Sequence, residues 1–251
     1  GYIDIVKLLL KIGADVFYNN CKAITVASKY GHEEIVGILY RSDYSHKIKE
    51  KCVILAVKYD NIFIVEYFKY RGYNLAYNDN FALRISIRYN NIGIAHYLSN
   101  YDHNCGKNVD IILSMCVQEN NIEIYDTYLT FCNKISKNLI CLLCQTENLN
   151  FFNSTYKNNN IDIDLLIKYS IIYDNIDIFE KIYDDNMTRD LYILICENNS
   201  IKIFNFIVKN DNRYLIYVDQ LILATIRNDN VEIFRYLINN SGYLHKDEYL
   251  K

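Results

Sequence analysis

Residues whose type and spacing could support chemistry are few in this chain of 251 amino acids. Cys141 and Cys144 form a Cys-x-x-Cys pair, which is a spacing found in zinc sites. A tetrahedral zinc site needs about four ligands, and no second cysteine pair or histidine lies near this one in the sequence. Because the pair stands in an apolar stretch, we predict two cysteines of the hydrophobic core.

The remaining candidates for catalysis are five scattered histidines. They are His32, His46, His96, His103 and His245. The sequence contains no nucleophile elbow, phosphate-binding loop, zinc-protease helix motif or dinucleotide fingerprint. We therefore predict that the protein is not an enzyme and holds no metal or cofactor.

One recurring pattern could form a binding surface. A basic residue precedes a tyrosine at three places, 29 or 30 residues apart: Lys29-Tyr30, Lys58-Tyr59 and Arg88-Tyr89. If the interval is that of a stacked repeat, the pairs align as a row of basic and aromatic side chains. Tyrosine and arginine are favoured at the energetic centres of interfaces. The alternative is an ordinary solvated surface, because the chain has 25 tyrosines in all.

Composition and charge restrict the class of protein. The chain has 27 Lys and Arg, 30 Asp and Glu, and a net charge of -3, whereas a nucleic-acid binder needs a basic stripe. We therefore expect no nucleic-acid partner. The hydrophobic fraction of 51% is sufficient for a folded core. The absence of proline and the abundance of Asn, Ile and Tyr are typical of an A/T-rich genome, so tyrosines and asparagines carry little weight as functional signals.

The cysteines and the apolar segments bear on the cell compartment. The eight cysteines are irregularly spaced and several stand in apolar runs, as buried free thiols do. This pattern favours a reducing compartment, and we expect the cytoplasm. No apolar run approaches the 18 or so residues of a membrane span, so we expect no membrane partner.

A motif of about ten residues recurs nine times. Examples are GHEEIVGILY from Gly31 and DNIFIVEYFK from Asp60. The first residue of the motif, here called the anchor, stands at positions 1, 31, 60, 90, 120, 147, 174, 199 and 229. Apolar residues four and eight positions after the anchor indicate one amphipathic helix, and an apolar stripe with a small residue before the anchor indicates another.

The anchor itself predicts the connection between the two helices. It is Gly, Asn or Asp in eight of nine repeats, and these residues best tolerate a left-handed turn. The repeat is therefore predicted to be a helix–turn–helix of 25–30 residues, and residues 1–251 to be one array of about nine such repeats. Because Gly1 stands inside a repeat, we expect the natural chain to extend before it.

The repeats resemble the ankyrin repeat family. The similarity is closest in GYIDIVKLLLKIGADV (Gly1–Val16) and in ASKYGHEEIVGIL (Ala27–Leu39), where His32 stands at the Gly-His position of the family. The resemblance implies an all-α solenoid of stacked helix–turn–helix repeats, with short β-hairpin fingers possible in the first half. The Asn-rich repeats are also similar to those of large A/T-rich DNA viruses, mimivirus-like ones especially, which implies a viral protein.

The departures from the family pattern lie in the loops. The family period is 33 residues with a Thr-Pro pair, whereas this chain has shorter periods and no proline. We expect the missing residues to come out of the loops. The repeat anchored at Glu147 is the least regular, and we predict an irregular seam at 153–160.

The resemblance also implies a function. We expect a monomeric scaffold that binds another protein, either host or cellular, through its concave face or its loop tips. The candidate binding residues are the three basic-aromatic pairs and the loop residues Tyr18, Asn19, Tyr44, Tyr77, Asn78 and Asp79. Two other hypotheses remain open: a targeting arm of a larger enzyme or ubiquitin-ligase adaptor, and a self-associating structural protein.

Overall fold

The chain is helical throughout its described part. The computed structural model describes residues 1–101, 109–146, 148–157, 161–184 and 188–240, with only the backbone of Asp79 and Tyr101. These ranges contain seventeen α-helices, one 3₁₀ helix at Arg213–Tyr217, and no β-strand. The α-helices are α1 Ile3–Lys11, α2 Tyr18–Lys29, α3 Glu33–Leu39, α4 His46–Lys58, α5 Ile62–Tyr70, α6 Tyr77–Arg88, α7 Ile92–Tyr101, α8 Val109–Gln118, α9 Ile122–Leu129, α10 Lys137–Gln145, α11 Leu149–Lys157, α12 Ile163–Ile172, α13 Ile176–Ile182, α14 Arg189–Glu197, α15 Ile201–Asn210, α16 Val218–Arg227 and α17 Val231–Asn240.

The helices form two compact units. The first unit, Gly1–Phe131, contains α1 to α9, and the second, which begins at Cys132, contains α10 to α17. In the first unit, α2, α4, α6 and α8 pack side by side as an even-numbered layer, and α1, α3 and α5 pack as an odd-numbered layer. The second unit repeats this arrangement, with α10, α12, α14 and α16 in one layer and α11, α13, α15 and α17 in the other. Consecutive helices such as α2 and α3, or α16 and α17, pack as hairpins between the layers.

Apolar residues at fixed positions in the repeat make the core. Four positions after the anchor, the buried residues are Ile35, Ile64, Ile94, Ile124, Phe151, Ile178, Ile203 and Ile233. Eight positions after it, they are Leu39, Phe68, Leu98, Tyr128, Thr155, Ile182, Ile207 and Leu237. This burial confirms the predicted helix periodicity. In α1 the equivalent Ile5 and Leu9 are exposed.

The anchors make the turn between the two helices of a repeat. Their φ angles are 72° at Gly31, 59° at Asp60, 58° at Asn90, 55° at Asn120, 49° at Asp174, 54° at Asn199 and 56° at Asp229. All of these lie in the left-handed region, which Gly, Asn and Asp enter at the lowest steric cost. The predicted left-handed turn is therefore confirmed at these seven anchors, and Glu147 lies outside the described residues.

The expectation of β-hairpin fingers is wrong for the described residues. The connections from α1 to α2, from α3 to α4 and from α5 to α6 each have six residues, and none of them contains a strand. Gly13 and Gly72 end α1 and α5 with left-handed φ angles of 92° and 79°. After such a turn closes the helix, too few residues remain for two paired strands.

The segment predicted as an irregular seam begins as a regular helix. Helix α11 continues to Lys157, and Phe151, Phe152 and Thr155 on it are buried. Residues 158–160, the end of the predicted seam, lie outside the described part of the chain.

Truncation of a core residue tests this register. Ile94 is fully buried, so Ile94→Ala is expected to lower the free energy of unfolding by about 2–4 kcal/mol through lost burial and the cavity left behind. The matched control is Ile5→Ala, at the equivalent position of α1 but 55% exposed, which should cost less than about 1 kcal/mol. Urea denaturation followed by circular dichroism measures both. Equal costs for the two variants would contradict the assignment of Ile94 to the core.

Candidate functional site

The three basic-aromatic pairs lie at the ends of neighbouring helices. Lys29, Lys58 and Arg88 are the last residues of α2, α4 and α6, and each is followed by a tyrosine that caps its helix. Since these three helices pack side by side, the pairs form a row. We call this row the ladder, and it consists of Lys29, Tyr30, Lys58, Tyr59, Arg88 and Tyr89. The predicted alignment of the pairs is present, and their binding role stays a prediction.

Each lysine of the ladder reaches the tyrosine of the next repeat. The Lys29 Nζ atom lies 4.8 Å from the centroid of the Tyr59 ring and equally far from that of Tyr30. The Lys58 Nζ atom lies 4.7 Å from the Tyr89 centroid and 5.8 Å from that of Tyr59. These distances are those of cation–π contacts. The contacts connect three successive repeats along the surface.

The ladder ends at an ion pair. Glu119 stands directly before its anchor, where the three preceding repeats have tyrosine, and only 5% of its side chain is exposed. Its carboxylate accepts a hydrogen bond from Arg88 Nε at 2.6 Å and one from Arg84 Nη2 at 3.4 Å. A carboxylate therefore replaces the tyrosine ring as the partner of the last basic side chain.

The aromatic part of the ladder faces solvent. Tyr30, Tyr59 and Tyr89 are 59%, 45% and 43% exposed. Exposed aromatic rings held by neighbouring cations provide contact area with little conformational entropy left to lose on binding. This arrangement is suited to recognition of another molecule.

Four predicted loop residues lie at the opposite ends of the same helices. Tyr18 and Asn19 begin α2, and Tyr77 and Asn78 begin α6, whereas the ladder stands at the C-terminal ends. Both asparagines have left-handed φ angles, and both tyrosines are exposed. The Tyr77 ring packs on His46, with the ring centroids 4.1 Å apart. The structure does not bring these four residues together with the ladder.

Tyr44 was predicted at a loop tip, and that prediction is wrong. The Tyr44 ring is 4% exposed and lies between the rings of Phe17 and Tyr40. Its hydroxyl donates a hydrogen bond to the Leu39 carbonyl oxygen at 2.8 Å. An aromatic ring near a short connection buries more area by folding back under it than by facing water. The side chain of Asp79 lies outside the described part.

Asparagine side chains connect neighbouring repeats, although the abundance of asparagine in the sequence gave them little weight as a signal. Asn61 Nδ2 donates to the carbonyl oxygens of Ser28 at 3.2 Å and of Lys29 at 2.9 Å. These carbonyls belong to the last turn of α2, which has no partners for them within the helix. Asn121 donates in the same way to the Ile87 carbonyl at 2.6 Å. These bonds fix the ends of the helices that carry the ladder.

In two repeats the asparagine that follows the anchor also caps its own helix. Asn175 Nδ2 donates to the carbonyl oxygens of Cys144 at 2.9 Å and of Thr146 at 3.1 Å, while its Oδ1 accepts from the Ile178 N–H at 3.2 Å. Asn121 caps α9 through the Ile124 N–H at 3.0 Å. The signal was visible in the sequence, because the residue after the anchor is Asn in six of nine repeats.

The Cys-x-x-Cys pair is divided between the core and the surface. Cys144 is buried, its thiol lies 3.8 Å from the Leu166 carbonyl oxygen, and burial raises its pKa to about 12. Cys141 is only partly buried, with its sulfur 3.2 Å from the Tyr173 hydroxyl. The core prediction is confirmed for Cys144 and wrong for Cys141. Within the described ranges, no group of three or more His, Cys, Asp or Glu side chains could hold a metal ion.

The histidines take separate positions. His46 contacts Tyr73 and Tyr77, and His96 Nε2 lies 3.2 Å from the Asn100 amide nitrogen. His32 precedes α3 without a capping hydrogen bond from its side chain. His103 and His245 lie outside the described residues.

None of the helices in the described ranges has the length and apolar character needed to span a lipid bilayer.

A buried carboxylate in the second unit has a structural role. Asp211 accepts hydrogen bonds from Arg213 Nε at 2.9 Å, from Arg213 Nη2 at 2.8 Å, and from the Tyr192 hydroxyl. The Arg213 guanidinium, with help from Tyr192, lowers the pKa of Asp211 to about 2. Tyr192 lies on α14, and Asp211 and Arg213 lie in the segment between α15 and α16. The cluster therefore holds that segment against α14.

Neither a protein-family model nor a curated protein matches this sequence.

Removal of an asparagine bridge should weaken the second unit. Asn175→Ala leaves two carbonyls and one N–H without partners, so we expect a loss of about 1–3 kcal/mol in the free energy of unfolding. Asn175→Asp keeps the acceptor of the helix cap but removes the donor. Its free energy of unfolding should therefore lie between those of the wild type and Asn175→Ala. The control is Asn205→Ala, at an exposed position of α15, with an expected change below about 0.5 kcal/mol. If Asn175→Ala behaves like the control in urea denaturation, the bridge does not stabilise the protein.

Acid should selectively remove the contribution of Asp211. Its folded pKa of about 2 lies below the value near 3.9 of an unfolded aspartate, so its stabilisation is present above about pH 4 and lost as the pH falls toward 2. Asp211→Asn should cost about 1–3 kcal/mol at pH 7, because the Arg213 guanidinium loses its charged partner and the amide nitrogen cannot accept the hydrogen bond that the replaced oxygen accepts. The difference between wild type and variant, measured by urea denaturation at several pH values, should shrink at the acid end. A difference that stays constant from pH 7 to pH 2 would contradict the role of the carboxylate.

Proposed function

We propose that this chain is an ankyrin-type repeat protein without enzymatic activity that binds another protein through the ladder. The ankyrin-type assignment is supported by the ninefold motif, by the left-handed turns at the anchors, and by the layers of side-by-side helices in each unit. A cytoplasmic location is consistent with seven free cysteines among the described residues.

The single observation that carries the binding role is the row of exposed tyrosines in the ladder. Tyr30, Tyr59 and Tyr89 recur at the ends of three neighbouring helices, and lysines of the preceding repeats hold the rings of Tyr59 and Tyr89. A surface that is already ordered loses little side-chain entropy when a partner arrives. Tyrosine also supplies apolar area and a hydrogen-bonding hydroxyl from one side chain, which is why it is frequent at interface centres.

Capture of partners from cytosol tests this proposal. Immobilised wild-type protein is compared with Tyr30→Ala/Tyr59→Ala/Tyr89→Ala, and bound proteins are identified by mass spectrometry. We expect a protein that the wild type captures and the ladder variant loses by at least tenfold. Circular dichroism and the urea midpoint establish that both proteins are folded.

The matched control is Tyr2→Ala/Phe63→Ala/Tyr70→Ala, which removes three exposed aromatic side chains of the same unit that belong neither to the ladder nor to the candidate loop residues. This variant should keep the partner. A partner that is lost from the control but retained by the ladder variant would assign binding to another surface and contradict the proposal.

A further inference from the structure

We infer that the ladder recognises an extended, acidic segment of its partner protein, with carboxylates at every third residue. This inference rests on the proposed binding function and adds the chemistry of the partner. It is drawn from the charge distribution of the first unit, from the way the ladder already binds one carboxylate, and from the spacing of its helices.

The charges of the first unit are separated between its layers. The even-numbered helices α2, α4, α6 and α8 carry eight Lys or Arg and three Asp or Glu, whereas the odd-numbered helices from α1 to α9 carry three Lys and six Asp or Glu. The whole chain has a net charge of -3, so the basic side chains of the even-numbered layer form a local positive surface on an acidic protein. A surface of this kind attracts negatively charged groups and excludes basic ones.

The basic residues form two rows across the helices. Lys22 and Lys29 are seven residues apart on α2, and Lys51 and Lys58 are seven apart on α4, so each pair stands on one side of its helix. Lys22 and Lys51 are exposed, and the only carboxylate on these two helices is that of Glu50. The C-terminal end of a helix carries about half a negative charge. The full positive charge of Lys29 at the end of α2, or of Lys58 at the end of α4, exceeds this partial negative charge.

The protein itself shows that a basic side chain of the ladder can bind a carboxylate. Glu119 takes the place of the next tyrosine in the row, and its carboxylate is held by Arg88 and Arg84. The ammonium groups of Lys29 and Lys58 can bind a carboxylate as well, because each has three N–H donors and a tyrosine ring occupies only part of its surroundings. The ladder thus offers the same type of contact to an external acid.

The spacing of the helices sets the spacing of the acids. Helices that pack side by side have axes about 8–10 Å apart. An extended chain in the polyproline II conformation rises about 3.1 Å per residue with three residues per turn, so every third side chain points the same way at intervals of about 9 Å. Glutamates at positions i, i+3 and i+6 can therefore face Lys29, Lys58 and Arg88 in turn.

Single-stranded nucleic acid is the competing polyanion, and the ladder is less suited to it. Bases stack on free aromatic faces, whereas a lysine ammonium already lies over each of the rings of Tyr30, Tyr59 and Tyr89. A net charge of -3 also opposes the long-range attraction of a nucleic acid. A short acidic peptide carries fewer charges and is repelled less by the rest of the chain.

Peptide binding to the whole chain tests the inference. A fluorescein-labelled peptide with three glutamates at every third position, separated by prolines, is titrated with protein and followed by fluorescence anisotropy. The first control peptide has the same composition, but its three glutamates are consecutive. The second control peptide has lysines in place of the three spaced glutamates. We expect the spaced glutamate peptide to bind at least fivefold more tightly than the consecutive one and the lysine peptide not to bind. Binding should weaken as salt is raised.

Variants assign the binding to the ladder. Lys29→Gln/Lys58→Gln should weaken binding of the spaced glutamate peptide by about fivefold or more, because two charged contacts are lost. Lys157→Gln/Lys209→Gln removes the same charge from exposed positions of the second unit and should leave the affinity unchanged. Glu119→Gln should raise the affinity about two- to fivefold, because Arg88 and Arg84 are then released for the peptide. Circular dichroism confirms that each variant is folded.

The inference and the binding function can fail separately. Failure of the glutamate peptide to bind, equal affinity for both glutamate peptides, or the same affinity in Lys29→Gln/Lys58→Gln as in wild type would each overturn the acidic-segment inference. Oligouridylate is added as a competitor. If it binds more tightly than the peptide and displaces the peptide completely at low concentration, the acidic-segment inference is overturned in favour of nucleic acid. If the ladder tyrosine variant still loses its cellular partner in any of these cases, the proposed binding function stands.

Discussion

The last carbonyl groups of every α-helix lack partners within that helix, and packing helices side by side brings many such ends onto one edge. In this protein an asparagine of the adjoining repeat supplies the missing donors. Asn61, Asn121 and Asn175 each donate to the carbonyls that end the neighbouring even-numbered helix. In Asn121 and Asn175 the oxygen of the same amide accepts the N–H that begins the following helix. One side chain therefore joins two repeats and starts a helix, and the arrangement works only because the preceding anchor reverses the chain with a left-handed φ angle.

The ladder is a consequence of this register. Because the hydrogen bond from Asn61 to the Lys29 carbonyl holds the end of α2 beside the next repeat, the Lys29 side chain lies over the Tyr59 ring. Positions that are equivalent in the repeat become neighbours in space, so a residue type that recurs in the sequence becomes a continuous surface. A single change of type alters the surface locally, as Glu119 does where it pairs with Arg88.

The two units use the same backbone scheme for different surfaces. In the second unit, the two residues before the anchor are Ile172-Tyr173, Glu197-Asn198 and Arg227-Asn228, so no row of basic and aromatic side chains forms there. Its core nevertheless follows the same positions, with Ile178, Ile203 and Ile233 buried. Packing and backbone geometry thus constrain the core positions of α3 to α17 and the turns at the seven described anchors, whereas the exposed helix ends are free to carry the chemistry of recognition.

The sequence by itself determined the helix pairs, the left-handed anchors and the buried positions such as Ile94, since each follows from the side-chain period within one helix or from the steric demands of one turn. It also indicated that the ladder residues align. Only the tertiary structure decided that Tyr44 folds inward, that Cys141 reaches the surface, and that the asparagines bridge repeats. Those features depend on distances between segments about 30 residues apart, and no local pattern encodes how closely two such segments approach.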